Sequence, residues 1–265
     1  MISSQDAIGV FDSGLGGLSV LKSLTALLPQ ENFVYLGDIA RLPYGTKSPE
    51  VVTKYSLNCA EVLFKKNIKA LVVACNTASS VALPSLQEAF SLPIFGVIKP
   101  GVQAALASGK DHSVLVMATA GTVKSNAYLD EFKKQGFKGK VHQLACPLLV
   151  PLAEEGWFRN TITEEIIQTY LSRVELSEFD TFLLGCTHYP LLSESIQNCV
   201  GPQKTIIHGA DQLARDLQNE LNKRSLLSNS QKGKLSFFST DEISSELPLL
   251  RALFEEPLSF SVIDF

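Results

Sequence analysis

The sequence predicts an α/β protein of two similar lobes, each a mostly parallel sheet flanked by helices, with an active site between them. Three observations carry that expectation. Short apolar runs without polar alternation recur along the chain, as in strands of a parallel sheet covered on both faces. Amphipathic stretches at helical spacing lie between them. One pattern, an apolar run followed by a small residue, a cysteine and two polar residues, occurs twice, about one domain's length apart.

Taken in order, the predicted strands are residues 8–11, 33–36, 70–74, 94–97, 114–117, 181–184 and 205–207. Val52, Tyr55, Cys59, Val62 and Leu63 fall on one face of a helix that also carries Glu61 and Lys65 as an i,i+4 pair. Ile162, Ile166, Tyr170 and Val174 predict another helix, opened by a Thr161/Glu164 capping box. The repeated pattern ends in Cys75-Asn76-Thr77 and in Cys186-Thr187-His188, each leading into a helix-like stretch. No low-complexity tract separates the halves, so the lobes should pack closely.

The 265 residues suit one large domain or two of roughly 130. With 45% hydrophobic and 19% charged residues, core formation is no difficulty. A net charge of −4 builds no basic face, which weighs against nucleic-acid binding. The start of the chain lacks a basic segment followed by an apolar one, so no signal peptide is expected. The longest apolar runs, about six residues, fall far short of the ~20 that span a bilayer. A soluble cytoplasmic protein without membrane partners is the expectation. Five cysteines without C-x-x-C spacing fit neither a disulfide scaffold nor a zinc ribbon. The histidines are dispersed, and no metal site is expected.

In open α/β sheets, ligands bind beyond the carboxyl ends of the strands. Three polar clusters are predicted there: Asp12-Ser13-Gly14, Cys75-Asn76-Thr77 and Cys186-Thr187-His188. Hydroxyls and backbone N–H groups at helix starts favour a carboxylate ligand. A single cysteine at a strand end is usually a small buried hydrophobe. Two at equivalent positions of a repeated pattern argue instead for active thiols, whose pKa a helix start should lower from about 8.5. Cys59, Cys146 and Cys199 lack such company and are assigned to packing.

Asp12 precedes a glycine-rich turn and reads either as a turn former or as a ligand-facing acid. Gly14, Gly16 and Gly17 do not have dinucleotide-fingerprint spacing. His188 suits a core histidine or a group that tunes a thiol, and its nearness to Cys186 also admits a cysteine hydrolase. Glu154 and Glu155 would ordinarily be solvated loop acids. If both thiols face one ligand, a thiolate can take a proton from carbon while a thiol supplies one to the opposite face. That inverts a stereocentre and needs one proton shared between two sites. Asp12, Glu154 and His188 are the candidates to hold each thiol's state, while hydroxyls and amides stabilise the developing charge.

Residues 8–17, 35–45, 72–78 and 183–192 resemble, in order, the signature blocks of the bacterial glutamate racemase family. The similarity runs from about residue 8 to about residue 215, and the last fifty residues are uninformative. The resemblance implies cofactor-independent interconversion of L- and D-glutamate, the D form feeding peptidoglycan synthesis, and commonly a homodimer. It implies that the C-terminal part returns to the first lobe, giving 1–98 plus 207–265 and 99–206. It also implies that Cys75 deprotonates D-glutamate and Cys186 L-glutamate. Asp12 would assist the first thiol, and Glu154 and His188 the second. Substrate contacts would come from Asp12, Ser13, Tyr44, Gly45, Asn76, Thr77, Thr187 and His188, with Thr119 and Thr122 forming a further hydroxyl-bearing turn. Ile39, Lys99, Ala118 and His208 depart from the family pattern; these bear on dimer geometry, hinge behaviour and regulation. The alternatives are a racemase for another acidic amino acid such as aspartate, and a non-catalytic carboxylate-binding module. A pyridoxal phosphate enzyme fits poorly, because neither cysteine block has a lysine at its predicted strand end.

Overall fold

The computed structural model describes residues 2–109, 113–244 and 247–264. Its strands are β1 (Ala7–Asp12), β2 (Phe33–Gly37), β3 (Ile68–Val73), β4 (Ile94–Gly96), β5 (Val114–Ala118), β6 (Val141–Ala145), β7 (Thr181–Gly185), β8 (Thr205–Ile207), β9 (Leu235–Ser239) and β10 (Phe260–Val262). They form two sheets, ordered β10-β9-β2-β1-β3-β4 and β6-β5-β7-β8. Every pairing is parallel. The α/β class and the two-sheet architecture are as the sequence predicts.

Both faces of the first sheet are covered, which is why its strands show no alternation. Ile8 and Val10 of β1 pack with Leu18, Leu21 and Leu24 of the helix Leu18–Leu27 and with Leu213 and Leu217 of the helix Ala210–Lys223. Phe11, Leu71 and Val73 pack with Cys59 and Leu63 of the helix Pro49–Phe64 on the other side. That helix opens with Ser48 accepting from the Val51 amide and Pro49 at its first position.

The three strands absent from the sequence reading share a cause. β6 is an edge strand with only Leu144 buried, and His142 and Gln143 break its apolar run. β9 buries only Ser239, and β10 is a three-residue edge. The helix Thr161–Leu171 also differs from expectation. Its cap is Asn160, whose Oδ1 accepts from the Thr163 amide at 2.8 Å, one residue ahead of the expected box. Val174 lies beyond the helix end.

The chain crosses to the second sheet through the helix Ile98–Ala107 and returns through Ala210–Lys223. The crossings meet backbone to backbone, and a Cβ on Gly209 would lie 2.5 Å from the Gly101 nitrogen. The returning segment is also pinned by a buried ion pair. Lys69 Nζ lies 2.5 Å from Glu31 Oε2, while Glu31 Oε1 accepts from the Ser228 amide at 2.7 Å. Among the described residues, no helix is long and apolar enough to cross a membrane.

Candidate active site

The carboxyl ends of β1, β3 and β7 converge on one cavity of about 300 Å³, lined by both Cys75 and Cys186. Asp12 ends β1 and is fully buried. Its Oδ2 accepts from the Gly14 and Gly17 amides, both at 3.1 Å, so the turn-forming reading holds. Its Oδ1 accepts from the Thr187 hydroxyl at 3.5 Å, a contact that comes from the other sheet's loop. Burial pushes the Asp12 carboxyl up, against the opposing pull of His188 and the turn amides.

Cys75 caps the helix Asn76–Val81, with the Ala78 amide donating to its sulfur at 3.4 Å. The thiol lies 3.5 Å from Ser13 Oγ. Contrary to the expected lowering, burial and the Asp12 charge push this thiol up to about 12, and the amide and Ser13 offset only part of that. Cys75 therefore rests as a thiol at neutral pH.

Cys186 follows β7 but does not open an α-helix. Pro190 sits in a 3₁₀ turn, Tyr189–Leu192, before the next helix begins at Ser193. The repeat seen in the sequence is thus one of strand and thiol, not of the helix that follows. His188 Nδ1 lies 3.8 Å from the Cys186 sulfur. Glu154 Oε1 is 3.3 Å from His188 Nε2, within ion-pair range though not aligned as a hydrogen bond. Burial disfavours the charged imidazolium, but Cys186, Glu154 and Asp12 outweigh it and push His188 up to about 10. The imidazolium is thus favoured whenever the Cys186 sulfur beside it is ionised. Glu154 is half-buried at the cavity edge, whereas its neighbour Glu155 is exposed.

Residues 42–46 form one wall of the cavity. Tyr44 is buried, and a Cβ on Gly45 would come within 2.8 Å of Thr119 Cβ, so this segment packs closely on the other sheet's loop. Thr77, Thr119 and Thr122 form a hydroxyl triangle, with Oγ1 separations of 2.9, 3.3 and 3.0 Å. Asn76 Oδ1 accepts from Tyr128 at 2.7 Å, which holds its amide group toward the cavity. Ser13, Tyr44, Gly45, Asn76, Thr77, Thr187, His188 and Glu154 all border the same cavity. Asp12 stands behind it, within reach of Thr187.

This arrangement has counterparts. Residues 8–217 match the family model described as Asp/Glu/hydantoin racemase. The chain belongs to that family. It is accordingly an isomerase of the racemase class. It is 47% identical to a glutamate racemase of Geobacter metallireducens over 89% of this chain and 87% of that one. It is 40% identical to the glutamate racemase of Aquifex aeolicus over 94% of each chain. Among solved structures, a glutamate racemase isoform from Bacillus anthracis superposes with a TM-score of 0.94, at 36% identity and 98% coverage of both chains. A Francisella tularensis glutamate racemase, determined with D-glutamate, gives 0.90 at 34% identity and the same coverage.

Sequence reasoning left three features of this racemase unseen. Pro147, Val150 and Pro151 add apolar lining to the cavity, with no chemical motif to announce them. Cys59, read as plain packing, also touches Arg41 Nη2 at 3.7 Å and Tyr44 Oη at 3.9 Å. His208, one of the departures from the family pattern, lines a neighbouring cavity of about 340 Å³ that also borders Asn76, Cys186 and Thr187.

Proposed function

We propose that the protein interconverts L- and D-glutamate without a cofactor, by proton transfer between two thiols, and supplies D-glutamate for peptidoglycan synthesis. The observation that carries this reading is that Cys75 and Cys186, from the ends of β3 and β7 in different sheets, line a single cavity. The relatives named glutamate racemase support the choice of substrate.

In the L to D direction, the Cys186 sulfur takes the Cα proton, and the electron pair moves toward the substrate carboxylate. The Cys75 thiol then delivers its own proton to the opposite face. Cys75 is left as thiolate and Cys186 as thiol, the state that accepts D-glutamate and runs the steps backward. His188 supplies the cation that a thiolate at Cys186 needs, and Glu154 orients it. Asp12 sits where its charge favours the protonated Cys75. Ser13, Asn76, Thr77, Thr187 and the backbone of Tyr44–Gly45 offer donors to the two carboxylates. The lobes divide at 98/99 and 206/207 in this reading.

Incubation with L-glutamate in deuterated water tests it. Early D-glutamate should carry deuterium at Cα while the remaining L-glutamate stays largely unlabelled. Substantial transfer of the substrate's own hydrogen into product at low conversion refutes the two-thiol route, and faster turnover of aspartate refutes the substrate assignment.

A further inference from the structure

Asp38 lies at the end of β2, fully buried and outside the cavity, yet it gathers four contacts. Arg41 Nε donates to both of its oxygens at 2.9 and 2.8 Å, and the Tyr44 hydroxyl donates to Oδ2. The fourth comes from far along the chain, where the Thr240 hydroxyl donates to Oδ1 at 2.9 Å. Thr240 follows β9 directly. Its hydroxyl also accepts from the Ala40 amide at 3.0 Å, so its one proton is committed to Asp38. Arg41 is further braced over the Tyr55 ring, 4.3 Å from its centroid.

Arg41 and Tyr44 bracket Leu42 and Pro43, so one carboxylate holds the start and middle of the wall formed by residues 42–46. We propose that Asp38 is a positioning residue for glutamate, fixing the Tyr44–Gly45 wall of the cavity, and that Thr240 of the returned C-terminal segment holds Asp38 in place. This rests on reading that cavity as the glutamate site. Neither residue borders the cavity. Their effect therefore reaches substrate only through the wall, which this proposal assigns to the side-chain carboxylate of glutamate, remote from the reacting Cα. Such contacts are equal in the ground and transition states, so their loss raises KM and spares kcat.

The test uses Thr240→Val, Thr240→Ser, Tyr44→Phe and the Thr240→Val/Tyr44→Phe double variant, with kcat and KM measured in both directions. Valine leaves Asp38 and the Ala40 amide short of a partner, whereas serine keeps both bonds. Thr240→Val and Tyr44→Phe should each raise KM roughly tenfold with kcat within about threefold of wild type. Thr240→Ser should match wild type, and the double variant should fall short of the product of the two single effects, because both act through Asp38. A Thr240→Val KM within about twofold of wild type overturns the proposal, as does equal impairment by serine and valine. Should Thr240→Val fail to fold, an unchanged KM in Tyr44→Phe overturns it instead. An inert wild-type protein overturns the reading of the cavity, whereas an active one with insensitive variants overturns only the role of Asp38 and Thr240.

Discussion

The Thr187 hydroxyl reaches Asp12 Oδ1 from the opposite lobe at 3.5 Å, while Asp12 Oδ2 is held by two amides of its own turn. One carboxylate thus reports to both halves of the cavity. It also stands close enough to Cys75 to raise that thiol.

Removing the Asp12 charge should release Cys75. In Asp12→Asn, alkylation of Cys75 by iodoacetamide at pH 9 should run several-fold faster than in wild type, because less opposes the thiolate. Racemisation should fall at the same time, chiefly through the Cys75 half of the reaction. Mass spectrometry of the modified peptide measures the first effect. An unchanged alkylation rate would show that burial alone holds the thiol.

The five cysteines should separate into three groups. Cys75→Ala and Cys186→Ala should abolish racemisation, and Cys146→Ala and Cys199→Ala should leave it near normal. Cys59→Ala should lie between, since Cys59 touches both Arg41 and Tyr44. A circular-dichroism racemisation assay ranks them, and retained turnover in either of the first two removes the two-thiol mechanism.

His188 makes stability depend on pH in a defined sense. Its folded pKa of about 10 lies above the ordinary value of 6.5, so between those limits the folded state binds more protons than the unfolded one. Its contribution to stability is therefore full below about 6.5 and is lost as pH rises through about 10. Urea midpoints of wild type should fall toward those of His188→Asn across that window. Parallel curves would contradict the elevated pKa.

Gly16 allows the lobes their close approach. A Cβ there would lie 2.5 Å from His188 Nδ1 and 2.6 Å from Thr187 Oγ1, both in buried side chains. Gly16→Ala should cost at least about 100-fold in kcat/KM through displacement of these groups. Thermal denaturation, run alongside the kinetics, should show a drop of only a few degrees. Near-normal turnover would mean that the lobes yield without disturbing the site.

The Lys69–Glu31 pair should matter more when broken than when replaced. Lys69→Met strands a buried carboxylate and should cost about 3–5 kcal/mol in denaturant unfolding. Lys69→Met/Glu31→Gln should recover part of that loss. Equal losses in the two variants would place the cost in packing rather than in the uncompensated charge.

The sequence carries the central strands openly, because burial on both faces leaves β1, β3, β5 and β7 with continuous apolar runs too short for an ordinary helix. It hides β6, β9 and β10, edge or near-edge strands whose mixed composition resembles loop. The thiols are legible because their setting is repeated. The ionisation of Cys75 is not, because the helix start that should lower it is outweighed by burial and by Asp12, a neighbour brought in from another strand. Asp38 escapes notice for a similar reason, since its partner Thr240 is about two hundred residues away in a segment without motifs.

The return of β9 to the side of β2 has a bearing on synthesis. A ribosome emits the whole second sheet before the strand that completes the first, and the helix Ala210–Lys223 that covers one face of the first sheet emerges just ahead of it. During that interval Ile8, Val10 and their neighbours lack half of their cover, and the edge of β2 has no pairing partner. The nascent chain is then sticky on one face and open at one sheet edge, and the residues from 210 onward supply both the missing cover and the missing strand.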